Sequence, residues 1–233
     1  MAGGSFAGAV ETSIAGVAAL CDPAGVLYLP EERILIVSDL HLEKGSSFAR
    51  RGMLVPPYDT GATLGVLAKV MARYHPKTVI SLGDSFHDPE ASARLPEIYS
   101  VRLKELMNGR SWVWITGNHD PNVPVDLPGE TFLELATGAL TFRHEPRLVA
   151  SRGEIAGHLH PAARIVRRGS SVRRPCFASD GERLIMPAFG AYTGALNVLD
   201  RAFRGLFAEE RLCAFMLGTE RVYPIARAAL FPG

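Results

Sequence analysis

A chain of 233 residues is long enough for one substantial domain and short for two. Apolar residues make up 47% and charged residues 21%, which excludes a disordered or fibrous protein. The formal net charge of +1 gives no overall pull toward nucleic acid or membrane, so any such attraction has to be local.

Residues 1–12 are rich in Gly and Ala and are expected to be loose, with 13–233 forming a single domain. Val17–Leu20, Gly25–Leu29 and Arg33–Val37 read as three short strands, separated by Asp22-Pro23-Ala24-Gly25 and Pro30-Glu31-Glu32 turns. A polar, basic loop from Glu43 to Gly52 follows. Pro56-Pro57 then opens a helix whose apolar face is Leu64, Leu67, Met71 and Tyr74, stopped by Pro76. Thr78–Leu82 is a buried strand, Pro96–Asn108 a second helix ended by Gly109, and Trp112–Ile115 a third buried strand. This alternation argues for an α/β sheet with polar residues at the C-terminal ends of its strands, where ligands bind in such folds. The second half changes character. Short strand-like runs at 139–142, 154–157, 174–178, 183–186, 196–199, 212–217 and 221–225 predict a second, mostly antiparallel sheet packed on the first, with one short helix near the end.

Cys21, Cys176 and Cys213 are odd in number and far apart, which fits buried thiols better than disulfides or a zinc knuckle. No Lys or Arg precedes Arg33, and no window approaches the roughly 18 apolar residues of a membrane span. The expected location is the cytoplasm, away from membranes.

Five polar elements carry the chemistry. They are Asp39-x-His41, Gly83-Asp84, Gly117-Asn118-His119-Asp120, a lone His144, and Gly157-His158-Leu159-His160. Asp39 and His41 stand two apart, so an extended strand end aims both at one point, and a carboxylate beside an imidazole suits a divalent cation. Asp-x-His alone is common by chance. Gly-Asn-His-Asp and Gly-His-x-His are much rarer, and the whole set occurs in order with four members at predicted strand ends.

The set resembles the calcineurin-like metallophosphoesterase superfamily over roughly residues 33–160. That resemblance implies an α/β, four-layer α-β-β-α sandwich with a two-metal centre. Asp39, His41 and His160 would hold one cation and Asn118, His144 and His158 the other, with Asp84 bridging. Two divalent cations, two carboxylates and a bridging hydroxide leave about one positive charge to attract a phosphate oxyanion, and the paired metals lower the pKa of the water between them. His119 is expected to face the substrate as general acid, with Asp120 orienting its ring. The metals are expected to be manganese, with iron, zinc, cobalt and nickel as alternatives.

A narrower resemblance rests on Ser38–Gly45, Arg50-Arg51-Gly52, Pro56–Thr60, Gly83–Asp88, His144-Glu145-Pro146 and Pro187–Gly194. These stretches are similar to the ligase-associated DNA damage response endonucleases, bacterial metallophosphoesterases linked with an ATP-dependent DNA ligase, a helicase and an exonuclease-like protein. The implied reaction is cleavage of phosphodiester bonds in DNA. His87, where many superfamily members carry an acid, is a candidate substrate or second-layer contact, and Phe189 or Tyr192 of the last stretch is a candidate for stacking on a base. Arg50 and Arg51, with Lys44, and Arg167 and Arg168, within a cluster that includes Arg164, Arg173 and Arg174, are candidate DNA contacts. The alternatives are a small-molecule phosphodiesterase or nucleotide-lipid pyrophosphatase on the same site and, with little support, a metal-free scaffold.

Overall fold

The structure, a computed structural model, describes residues 6–53, 56, 58–120, 126–149 and 151–233. Its first sheet takes seven strands in sequence order. β1 (Val10–Ile14), β2 (Val17–Cys21), β3 (Leu27–Leu29) and β4 (Ile34–Val37) form an antiparallel meander. From β4 the pairing turns parallel, through β5 (Thr78–Leu82), β6 (Ser111–Ile115) and β7 (Glu130–Phe132). Parallel neighbours need crossovers. These are α1 (Lys44–Arg50) and α2 (Asp59–Tyr74) between β4 and β5, and α3 (Glu97–Met107) between β5 and β6. β4 is buried throughout, as β5 and β6 are but for their first residues, which is why Ile34–Val37 and Trp112–Ile115 read as unbroken apolar runs and Val79–Leu82 as one interrupted only by Ser81.

The second sheet holds β8 (Glu134–Thr137), β9 (Leu140–Arg143), β10 (Glu154–Ala156), β11 (Pro161–Arg167), β12 (Ser170–Ser179), β13 (Arg183–Ile185), β14 (Leu196–Asn197), β15 (Cys213–Leu217) and β16 (Val222–Ala226). It is mixed. β10 runs parallel to both β9 and β13, whereas β12 is antiparallel to β11, β13 and β15.

Three apolar layers follow from this stacking. Ile36, Ile80, Leu82 and Ile115 meet Phe142, Ile155, Phe177 and Phe215 between the sheets. On the outer face of the first sheet, Leu35, Val37, Val79 and Trp112 pack against Leu64, Leu67 and Met71 of α2 and Leu103 and Met107 of α3. On the outer face of the second, Cys176, Ala178, Ala214 and Met216 are covered by Phe203, Leu206 and Leu212 from segments in and around short 3-10 turns. The fourth layer is therefore made of turns and loops rather than full helices.

Several local expectations are corrected. Val10–Thr12 belong to β1, so the loose N-terminal stretch ends earlier, and residues 1–5 lie outside the described residues. The loop expected after Glu43 contains α1. α2 starts at Asp59 rather than at Pro56-Pro57, with Pro57 outside the described residues. The arginines after His160 sit on and around a β11–β12 hairpin, with only Arg168 in its turn.

Phe142 is fully buried between the sheets, two residues before His144. Phe142→Ala is expected to lower unfolding free energy by about 3–5 kcal/mol through lost burial and the cavity left behind, read by urea denaturation; a loss below ~1 kcal/mol would contradict this packing.

Candidate metal centre

The polar motifs stand where the parallel strands of both sheets end. β4 delivers Asp39 and His41, β5 delivers Asp84, and β6 delivers Asn118 and His119. From the second sheet, β9 delivers His144 and β10 delivers His158 and His160. Main-chain bonds carry the β4–β5 pairing on past the strands: Asp39 N donates to Gly83 O (3.2 Å), His41 N to Asp84 O (2.9 Å) and Leu42 N to Ser85 O (2.9 Å).

The side chains converge by a different route from the one the spacing suggests. Asp39 and His41 do not continue an extended strand; their φ angles are +54° and +44°. Asp84, His158 and His160 are left-handed as well, at +47°, +67° and +43°. A non-glycine residue held there costs of order 1–3 kcal/mol, and such strain gathers at functional sites.

Two triads result. Asp39, His41 and His160 offer ligand atoms all within 4.8 Å of one another, and so do Asp84, His144 and His158. His160 Nε2 lies 3.0 Å from Asp39 Oδ1. Asp84 Oδ2 stands between the triads, 4.0 Å from His41 Nε2 and 3.4 Å from His144 Nε2. Asn118 joins the second triad, its Oδ1 3.0 Å from His144 Nε2. Asp39 Oδ1, His41 Nε2 and His160 Nε2 are buried without a hydrogen-bond partner. Buried polar atoms normally have one, and three that face a common point form a donor set that suits a divalent cation. The residues present thus fit two divalent ions, one at each triad.

Backbone carbonyls fix the rings. His144 Nδ1 faces Leu82 O (2.8 Å), His160 Nδ1 faces Gly194 O (3.1 Å) and His119 Nδ1 faces His87 O (2.9 Å). An N–H given to a carbonyl leaves the other ring nitrogen free to face the centre. Burial by itself raises the pKa of Asp39, but the His160 and His144 imidazoles and the Ser38 hydroxyl hold it below the ordinary value. Asp84 is held at about 2 by His144, the His119 amide and His41, against its own burial. Burial pushes His41 down to about 3 despite both carboxylates. His144 moves the other way: burial lowers it, but Asp84 and Asp39 bring it up to about 9.

His119 is half-open to solvent beside the exposed Asn118, its side chain 42% accessible and its Nε2 4.0 Å from Asp84 Oδ2. Asp120 does not orient it. The Asp120 carboxylate accepts the backbone N–H groups of Ser85 (2.7 Å), Phe86 (3.2 Å) and Gly117 (3.1 Å), tying the two ligand loops together. Burial, more than the Asp84 charge, pushes Asp120 up to about 6 against those amides. The orienting acceptor is the His87 carbonyl. The His87 ring stacks on His119 at 5.4 Å and lies edge-on to His41, so His87 belongs to the site.

The basic candidates divide. Lys44 and Arg51 lie close enough for their charge to depress His87, although burial acts on it more strongly. Arg50 is neutralised by Glu90 at 3.0 Å. Arg167 ends β11, roughly 20 Å of strand beyond Pro161, and Arg168 is in the turn, so the fold does not bring this pair to the metals. The Pro187–Gly194 stretch braces the first ligand loop: Phe189 N donates to Ser38 O (2.9 Å) and Gly190 N to Asp39 O (3.0 Å). Phe189 packs on the core, which removes it as a stacking partner for a base, and Tyr192 is 49% exposed. The carbonyls of Leu82, His87 and Gly194 escape sequence reading because any residue type supplies one.

The family model for calcineurin-like phosphoesterases matches residues 32–169, and the chain belongs to that family of metal-dependent phosphoester hydrolases. Among solved structures, a Pseudomonas putida nuclease, MPE, aligns with a TM-score of 0.72 at 27% identity, covering 93% of this chain and 100% of that one. Yfce, a phosphoesterase from E. coli, is a more remote likeness, with a TM-score of 0.42, 18% identity, and coverage of 83% and 98%. A search of curated proteins returned no significant match.

A Cβ on Gly157 would overlap Ser38 Oγ and come within 2.6 Å of Asp39 Oδ2. Gly157→Ala is expected to displace Asp39 and weaken manganese binding at least tenfold by calorimetry; unchanged affinity would show that the close approach is dispensable. The raised pKa of His144 also has a pH signature in metal-free protein. Its stabilising contribution is complete below about 6.5, the unfolded value, and is lost as pH rises to about 9. The melting temperature of chelator-treated protein should fall across that window, and His144→Gln should flatten the fall.

Proposed function

We propose that the protein is a DNA nuclease that hydrolyses phosphodiester bonds at the shared Asp84 centre, with manganese as its metal. The observation that carries this reading is the pair of ligand triads joined by Asp84, with the half-open His119 ring beside them. Two divalent cations bound there would neutralise phosphoryl charge and bring the pKa of water held between them near neutrality. The chain's own part is positional. Asp39 and Asp84, kept ionised by their surroundings, and imidazoles locked by carbonyls present a preformed cradle for a tetrahedral oxyanion. With Nδ1 held by the His87 carbonyl, His119 keeps Nε2 as the proton donor to the leaving oxygen.

A nucleic-acid substrate is favoured by the likeness to a nuclease over 93% of this chain and 100% of that one, and DNA by the family resemblance of the sequence motifs. A nucleotide-lipid pyrophosphatase calls for an apolar groove. The clefts beside the ligand loops set Arg143, Arg147, Glu134 and Glu145 next to Leu133 on one side, and Arg164, Arg173 and Arg201 next to Leu196, Leu199 and Pro232 on the other. A repair role, beside an ATP-dependent ligase, a helicase and an exonuclease-like protein, rests on the family resemblance; affinity capture that recovers none of the three would remove that part. Among the described residues, no helix is long and apolar enough to cross a membrane.

The protein with manganese should cleave both bis(p-nitrophenyl) phosphate and DNA oligonucleotides. Asp84→Asn should lower kcat at least ~10³-fold on both, since one charge between the cations is lost. His119→Ala should cost roughly 10²–10⁴-fold on DNA but far less on the nitrophenyl ester, whose leaving group departs without a proton. Equal losses on the two substrates would remove His119 as general acid.

A further inference from the structure

A cleft of about 850 Å³ opens beside the His160 loop without including any metal ligand. Arg164 and Arg173 form one wall, the Ala195–Asn197 segment another, and Arg201 stands at its lip. The β11–β12 register sets Arg164 directly opposite Arg173, so both guanidinium groups leave the same face of the hairpin. Like charges directly opposed across a ladder destabilise it, and hairpin stability therefore gives no reason for the pair. A pair of carboxylates nearby would offset this. Instead Arg164 donates to Ser171 Oγ (2.8 Å) and Pro232 O (2.8 Å), and Arg173 donates to Ala195 O. Among the described residues neither arginine forms an ion pair. The acidic side chain lining the cleft, Asp200, uses its carboxylate to accept Ala202 N at 3.0 Å.

The cleft shares a wall with the metal centre. Gly194, whose carbonyl holds His160 Nδ1, immediately precedes Ala195, and Pro161 pairs with Leu196 in the adjoining ladder. Arg164 is four residues of extended chain from His160, roughly 13 Å. That is a few nucleotides along a strand whose scissile phosphate lies at Asp84.

We propose that this cleft is a backbone subsite for the nucleic-acid substrate, in which Arg164 and Arg173 together grip a phosphate a few nucleotides from the bond that is cut. Two planar guanidinium forks match phosphate oxygens better than the neutral carbonyls they now touch. The assignment rests on the nuclease reading above and adds where the strand goes. It also separates these arginines from Arg167 and Arg168 farther out on the same hairpin.

The test uses full-length protein with manganese, single-stranded and duplex oligonucleotides, and bis(p-nitrophenyl) phosphate, which is too small to reach the cleft. The R164E/R173E variant, with R173Q as a milder companion, should raise KM for the oligonucleotide at least tenfold. It should flatten the dependence of binding on salt by about 0.7 for each phosphate no longer held. Turnover of the small diester should stay at the wild-type value, which reports an intact centre; the melting temperature should fall by only a few degrees through the lost bonds to Ser171, Pro232 and Ala195, with an unchanged circular dichroism spectrum reporting an intact fold. Wild-type KM and salt slope in both variants, or an effect confined to R167E/R168E, would overturn the assignment while leaving the nuclease reading standing. A wild-type protein that turns over the small diester but neither cuts nor binds oligonucleotides would overturn both.

Discussion

The Asp84 carboxylate is the group on which the rest of the structure converges. One oxygen accepts the His119 amide at 2.9 Å, and the other lies between His41 and His144, which come from different sheets. That position is available only because parallel strands from both sheets end at the same rim. β4, β5 and β6 end there in the first sheet, and β9, β10 and β13 in the second. The antiparallel strands widen each sheet without adding a ligand. The apolar layer between the sheets, with Leu82 and Phe142 in it, sets the distance between Asp84 and His144. Burial in that layer and metal geometry are thus one mechanical problem.

Rigidity at the rim comes from strain held in place rather than from relaxed conformations. Five ligands occupy left-handed backbone, where the penalty per residue is comparable to a good hydrogen bond. Glycines sit where a ligand must come closest: Gly83 against the His144 ring, Gly117 against Asp84, Gly157 against Asp39. The Asp120 carboxylate and the Phe189-Gly190 amides then tie the loops to one another. A site so over-determined keeps its donors aimed inward before any cation arrives, which favours electrostatic catalysis.

The seven candidate ligands are legible in the amino-acid sequence because each is a side chain in a rare short pattern or in the order such patterns set. The strands that carry them are legible because burial on both faces leaves unbroken apolar runs such as Leu35-Ile36-Val37. Their convergence has a different cause from the one the spacing suggests, since extended alternation does not apply to residues at φ near +50°. Asp120 departs from expectation for a related reason. Its adjacency to His119 suggests a side-chain pair, whereas the bend after β6 turns it inward to three amides. α1 escapes sequence reading because seven residues with two serines and a glycine carry no apolar period, and it is held by tertiary contacts such as Gly45 N to Asp59 Oδ2 at 3.0 Å.

Charge tells a similar story about what composition conceals. A net charge of +1 is consistent with evenly neutralised arginines, but the fold sorts them. Arg183, 2% exposed, is paired with Glu154 at 2.8 Å and capped by the Leu206 and Val149 carbonyls. Arg143 and Arg147 share Glu134, and Arg94 grips Asp88 at 2.6 Å. These are structural cations, committed to holding loops. Arg51, Arg164 and Arg173, like Arg167, Arg168, Arg174 and Arg201, form no ion pair among the described residues; Arg164 and Arg173 line the cleft beside the His160 loop, and the charge of Arg51 reaches His87. An unpaired guanidinium beside a phosphoester centre keeps its full attraction for an anion, while a paired one has already given most of it to a carboxylate. Local pairing, not the sum of charges, decides which side of such a molecule meets a polyanion.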